Sequence, residues 1–253
     1  MRSPEVKSAA SIVPLEGRDV EMARDGRGDP LIVLESGLTD DLSSWSSVFA
    51  ELTQRSRVLA YSRPGYGRSS AVSTSRDLMT ESRELRQMLG QLNETPPYFL
   101  IGHSLGGLIV QAFAASSPQD VCGLITVDAP HPDHIERLYQ DTSGDGEAFR
   151  RRTAALAGVA REELAALVAP AGGHFAGEDA PYAGPMIILA ATQNRFGSQA
   201  HQERRDAGVR QVAARYPQAE LRRIHCGHYI HRERPLAVLD AIDEVLARMR
   251  ANS

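Results

Sequence analysis

The stretch Tyr98-Phe99-Leu100-Ile101-Gly102-His103-Ser104-Leu105-Gly106-Gly107 holds the decisive local pattern of the chain. Four apolar residues in a row, closed by a glycine, fit a strand buried on both faces. From Leu105 onward an Ala-rich run to Ser117 reads as a helix. Gly102-His103-Ser104-Leu105-Gly106 is then a Gly-x-Ser-x-Gly turn joining strand to helix. In so sharp a turn the serine takes a strained backbone conformation that lifts Oγ clear of the sheet, and small residues two before and two after it avoid a clash. Gly107 lets the helix pack close to the strands, and the helix N-terminus aims its amides at the serine. A glycine-rich turn around an ordinary serine would require neither flanking element.

Outward from this turn, strand-length apolar runs alternate with helical periods. Ala10–Leu15 and Val20–Ala23 predict an antiparallel hairpin turning at Gly17. Continuous apolar runs follow at Leu31–Leu34, Val58–Tyr61, Gly123–Val127 and Met186–Ala190, with a weaker one at Leu221–His225. Between them Trp45, Val48, Phe49 and Leu52 fall on one helical face, as do Leu78, Leu85, Met88, Leu89 and Leu92. Pro235 opens a last helix with an apolar stripe from Leu236 to Met249. This order predicts an α/β fold: a mostly parallel sheet of about eight strands covered by helices on both faces. Residues 131–184 break the rhythm with short helical patterns and Gly/Asp-rich joints such as Thr142–Gly146. They read as a small helical lid inserted after the sixth strand of a single domain, whose core is 1–130 and 185–253.

Composition narrows the partners. The 253 residues carry a net charge of −4, with 42% hydrophobic and 24% charged residues, as in an ordinary globular chain. All but one of the 28 basic residues are arginine, Lys7 being the exception, and they are interleaved with 32 acidic ones rather than clustered. No nucleic-acid footprint follows. Cys122 and Cys226 make neither a disulfide framework nor a metal pattern and read as reduced. Neither an apolar leader nor a membrane span is legible, so a cytoplasmic location is expected. Oligomeric state is not readable.

A serine nucleophile needs a histidine base oriented by a third group. His228 is the best placed of the eight histidines: it follows the last strand behind Gly227, in a loop before the final helix, where a side chain can reach back over the carboxyl edge of the sheet. The bland reading is a local cap. His225 belongs to the strand and His231 to the approach to the helix. His103, His131 and His134 are candidate substrate contacts, with His103, inside the turn, better suited to packing and the other two opening the insertion.

Taken in order, Glu35-Ser36-Gly37-Leu38, Arg63-Pro64-Gly65-Tyr66-Gly67-Arg68-Ser69, the serine turn and Gly227-His228 resemble the α/β-hydrolase family, in its esterase and lipase-like branch. The resemblance spans nearly the whole chain. It implies an oxyanion hole at the backbone amides of Leu38 and Leu105, with each donor worth roughly 10²- to 10³-fold in rate. Two departures stand out: Ser36-Gly37 replaces the common His-Gly, which spares backbone donors, and Ser62 replaces a frequent aspartate. A third concerns the acid, which relatives usually carry after the strand that follows the insertion. Here that stretch, Ala191–Gly197, has no carboxylate. Some members use an acid one strand after the nucleophile, which points to Asp128, with Asp133, Glu203 and Asp206 behind it; a simple turn-capping role is the bland alternative for Asp128.

The resemblance implies a serine hydrolase acting without cofactor or metal on small-molecule carboxylic esters of short or medium acyl length. Lactones, carbon–carbon bonds and perhydrolysis share the same serine chemistry. Dehalogenases and epoxide hydrolases of the family use an aspartate nucleophile, against which Ser104 argues. A non-catalytic ligand-binding protein on the same fold is the reading from another class.

Overall fold

The computed structural model describes residues 6–251, apart from 8, 72, 171, 175–181 and 194–197. Parts of the predicted insertion and of the Ala191–Gly197 stretch therefore lie outside the described residues. Strands β1 (Ala10–Leu15) and β2 (Arg18–Asp25) form the hairpin, with Gly17 at φ +83° in its turn. Then come β3 (Leu31–Glu35), a 3₁₀ turn at Leu42–Trp45, α1 (Ser46–Leu52), β4 (Val58–Tyr61), α2 (Leu78–Gln91), β5 (Tyr98–His103), α3 (Leu105–Ser116) and β6 (Val121–Val127). The helices α4 (Pro132–Gln140), α5 (Gly144–Thr153) and α6 (Gly158–Val168) make up the described body of the insertion. The chain ends with β7 (Met186–Ala191), α7 (Gln199–Arg215), β8 (Glu220–Ile224), α8 (Ile230–Glu233) and α9 (Pro235–Ala251).

The eight strands form one sheet in the order β1-β2-β4-β3-β5-β6-β7-β8, antiparallel at the first two pairings and parallel from β4 onward. Alternation along the strands sorts the core into two layers. Ile32, Leu34, Phe99, Ile101 and Ile125 pack against the 3₁₀ turn, α1 and α9 through Trp45, Phe49, Ile242 and Val245. Leu31, Val33, Leu100 and Leu124 pack on the other face against Leu85, Met88, Phe113 and Val209 from α2, α3 and α7. Both faces being buried is why these strands read as continuous apolar runs.

The helix α7 was not legible. Its buried positions are His201, Gly208, Val209 and Val212, and arginines and acids fill most of the rest, so no apolar stripe marks it. Ser198 caps it by accepting from the His201 N–H. The strand order places the carboxyl ends of β5, β6, β7 and β8 side by side, so the turn at Ser104 and the loops after Val127 and Ile224 meet at one edge. Among the described residues no helix is long and apolar enough to cross a membrane.

Candidate active site

Ser104 lies between β5 and α3 at φ +53°, ψ −119°, a region that L-residues avoid, and its N–H is tied to the Val127 carbonyl at 3.0 Å. Two glycines make the bend feasible. A Cβ on Gly102 would stand 2.3 Å from the Gly106 carbonyl oxygen, and one on Gly106 would stand 2.4 Å from that of Glu35. Backbone on both sides leaves no soft neighbour to yield. Gly106→Ala is expected to destabilise the fold by about 1–3 kcal/mol in urea unfolding, the range for inserted methyls in a packed core.

Asp128 immediately follows β6 and is also left-handed, at φ +49°. Its N–H donates to Leu189 O at 2.7 Å, and Oδ1 accepts the Ala191 N–H at 2.9 Å. Oδ2 receives two donors: His228 Nδ1 at 2.6 Å and Arg205 Nη2 at 2.7 Å. Burial pushes this carboxyl up, but the His228 bond, the Arg205 guanidinium and the Ala191 amide outweigh it and hold the group below the usual aspartate range. A carboxylate only accepts, so Nδ1 carries the proton and Nε2 of a neutral His228 is left as a base. The loop bearing His228 is drawn back along β7 by bonds from Thr192 N to Ile224 O and from Gln193 N to Cys226 O. Beneath it, the buried His103 donates from Nε2 to the His228 carbonyl at 3.1 Å.

The turn after β3 is anchored from below by Arg63, 2% exposed. Its guanidinium donates to Ser36 O at 2.5 Å, Gly37 O at 3.1 Å and Glu35 Oε1 at 2.9 Å. The Gly37 carbonyl shares a planar peptide with the Leu38 N–H, so fixing the oxygen toward Arg63 turns that N–H the opposite way. Leu105 opens α3, where backbone amides have no intrahelical acceptor. Arg63 also grips Glu163 of α6 through Nε and Nη2, both at 3.0 Å, and Tyr66 donates to the same carboxylate at 2.8 Å. Burial raises Glu163, yet this two-point grip brings it below the usual range; Glu35, with one arginine bond and a bond from Tyr61, stays raised by burial. Arg63→Met, which strands these carboxylates, should cost about 3–5 kcal/mol in urea unfolding.

Ser104, Leu38, Leu105, Asp128 and His228 all line one cavity of about 500 Å³. The model of the alpha/beta hydrolase fold family matches residues 30–163. The chain belongs to the α/β-hydrolase fold family. The uncharacterized protein YqjL of Bacillus subtilis is 27% identical to this chain over 105 residues, 42% of this chain and 42% of that protein. The chain thus spans well under half the length of the curated relatives it first matches. An epoxide hydrolase from Bacillus megaterium superposes with a TM-score of 0.71 at 16% identity, over 94% of this chain and 100% of that one. A thermophilic esterase from Thermogutta terrifontis gives 0.67 at 20%, over 95% and 98%. Identities this low establish the shared fold alone.

Within this α/β-hydrolase fold, the candidate residues separate. His131 and His134 border the cavity, whereas His103 does not: β5 extends to residue 103 and buries its ring behind the turn, where a Cβ on Gly37 would touch it. The other carboxylates are engaged elsewhere. Asp133 binds Arg137 and His174, Glu203 accepts from Gln199, and Asp206 from Gln202 and Arg223. Ser62 is not left without an acid: Glu21 of β2 accepts from Ser62 Oγ at 2.9 Å and Arg68 N at 3.0 Å. Sequence reasoning missed Arg205 and His201 because it missed α7, and it missed the reach of Arg63, whose partner Glu163 lies a hundred residues away.

Proposed function

We propose that this protein is a serine hydrolase of carboxylic esters. The observation that carries the reading is the 2.6 Å contact of His228 Nδ1 with Asp128 Oδ2, at a cavity that the strained Ser104 also lines. Ser104 Oγ attacks the acyl carbon while His228 Nε2 takes its proton; the Leu38 and Leu105 amides hold the oxyanion, and Asp128 stabilises the imidazolium. His228 returns the proton to the leaving alcohol, and water then releases the acyl-enzyme by the same steps in reverse roles. Opening an epoxide as its aspartate-dependent relatives do would require a carboxylate where Ser104 stands. The helices α4, α5 and α6 act as a cover on one domain: Leu138, Phe149, Leu164 and Leu167 supply an apolar wall suited to a short or medium acyl chain.

A fluorophosphonate probe tests this directly. Mass spectrometry should find one adduct, on Ser104; folded protein that takes no label would remove the hydrolase reading.

A further inference from the structure

The last residue of β5 touches two of the loops on which Ser104 depends. His103 precedes the serine in the chain and is 1% exposed. Its ring packs against three rings of the segment that carries the base, with centroids 4.6 Å from His228, 5.0 Å from Tyr229 and 4.5 Å from His231. His231 lies in turn 4.6 Å from Trp45.

Flanking carbonyls of that segment are held by backbone: Cys226 O accepts from Gln193 N, and Tyr229 O from the amides of Arg232 and Glu233. The His228 carbonyl between them takes its donor from a side chain, His103 Nε2, at 3.1 Å. Across the ring, Nδ1 faces Asp40 Oδ2 at 3.6 Å. Asp40 belongs to the turn that carries Leu38, and its N–H donates at 3.3 Å to Gly37 O, the carbonyl that Arg63 also fixes. Its Oδ1 accepts from Arg232 Nη2 at 3.0 Å, and the Arg232 guanidinium lies 4.3 Å from the Tyr229 ring. A closed circuit thus runs from the turn after β3 through His103 to the base and back. It has no slack at its centre, since a Cβ on Gly37 would stand 2.8 Å from His103 Nδ1.

The position of one proton decides what His103 does. Burial lowers its pKa; Asp40 pulls the other way, and His228 adds to the lowering. The ring is therefore neutral at pH 7 and holds a single proton. A carbonyl only accepts, and 3.6 Å is too long for a hydrogen bond to Asp40, so the proton sits on Nε2.

We infer that His103 is a positioning residue, whose Nε2–H fixes the His228 peptide and so holds the base within reach of Ser104 Oγ. The inference rests on the serine-ester reading above. Asp128 pins the His228 ring at Nδ1 alone, and a ring pinned at one atom can rock about it, carrying Nε2 away from the serine. An anchor on the backbone of the same residue removes that freedom.

Three substitutions test it. His103→Phe keeps a ring and loses both nitrogens, His103→Asn offers a donor near the Nδ1 position alone, and His103→Gln carries an amide NH₂ to the Nε2 position. With p-nitrophenyl butyrate, the Phe and Asn variants should lose about 10- to 100-fold in kcat, the scale of a misplaced catalytic group. KM should stay within about twofold, since the lost contact serves the chemical step. The Gln variant, with its donor restored, should return to within about threefold of the parent. Phe or Asn variants as fast as the parent, a loss carried by KM, or a Gln variant as slow as Phe with an unchanged urea midpoint would each overturn the inference. Should the variants fail to fold, the imidazole nitrogen spectrum of the unaltered protein decides: a slowly exchanging proton on His103 Nε2 at pH 7 supports the anchor, and a bare Nε2 refutes it. If the parent turns over no ester and Ser104 takes no fluorophosphonate, the serine-ester reading falls and the rate effect with it, whereas failure among variants of an active, labelled parent removes this inference alone.

Discussion

Ser104→Ala is expected to lower kcat on any ester the protein accepts by on the order of 10⁵-fold, while the fold stays intact. The estimate follows from triads in which losing the nucleophile costs about as much as losing all three members, because the groups act as a unit. What remains is whatever the oxyanion amides and binding supply, roughly 10³- to 10⁴-fold over water. The serine is half-buried, and its constraint comes from the backbone: the bond from its N–H to Val127 and the glycines around it survive the substitution. Stability in urea should therefore change by no more than about 0.5 kcal/mol, the range for a change that breaks no buried contact. Initial rates and unfolding measured on the same preparation check both halves. A residual rate within tenfold of the parent would show that Ser104 is not the nucleophile.

Asp128→Asn should lower kcat by about 10⁴-fold with little change in KM. An amide presents its NH₂ to His228 Nδ1, which favours the tautomer with the proton on Nε2, where it cannot accept one from Ser104. The substitution also leaves Arg205 facing a neutral group. Stability responds with a definite sign. Because the Asp128 carboxyl is held below the ordinary aspartate range, its contribution is present above about pH 4 and is lost as pH falls through the depressed value. The variant should thus unfold more easily than the parent at pH 7, and the gap should narrow in acid. The same kinetic loss from Asp206→Asn or Glu203→Gln, with Asp128→Asn active, would reassign the acid.

The sheet and the serine turn were readable because local rules decide them. A four-residue apolar run such as Leu31–Leu34 can be satisfied only between two helical layers, and Gly102 and Gly106 are dictated by backbone oxygens that would stand 2.3–2.4 Å from any Cβ there. The position of His228 followed from its place after β8. Asp128 was reached through likeness to relatives, since nothing local distinguishes an acid that ends a strand from one that caps a turn. Arg205 and His201 stayed hidden for a different reason: α7 buries histidine and glycine rather than leucine, so its period left no trace. Arg63 looked like part of a glycine-rich loop, and only folding brings it to Glu163 and to the carbonyls of Ser36 and Gly37.

That last arrangement constrains anyone who would re-engineer the protein. The side chains of α4, α5 and α6 that face the cavity are the natural targets for exchanging one insertion for another. Yet α6 also carries Glu163, the carboxylate that shares a guanidinium with the peptide preceding Leu38. A transplanted insertion lacking an acid at that point should return a protein with a new pocket and a loosened turn, in which selectivity and rate change together. Keeping an acid at position 163 of the graft, opposite Arg63 and Tyr66 of the core, separates the two and makes the insertion a replaceable part.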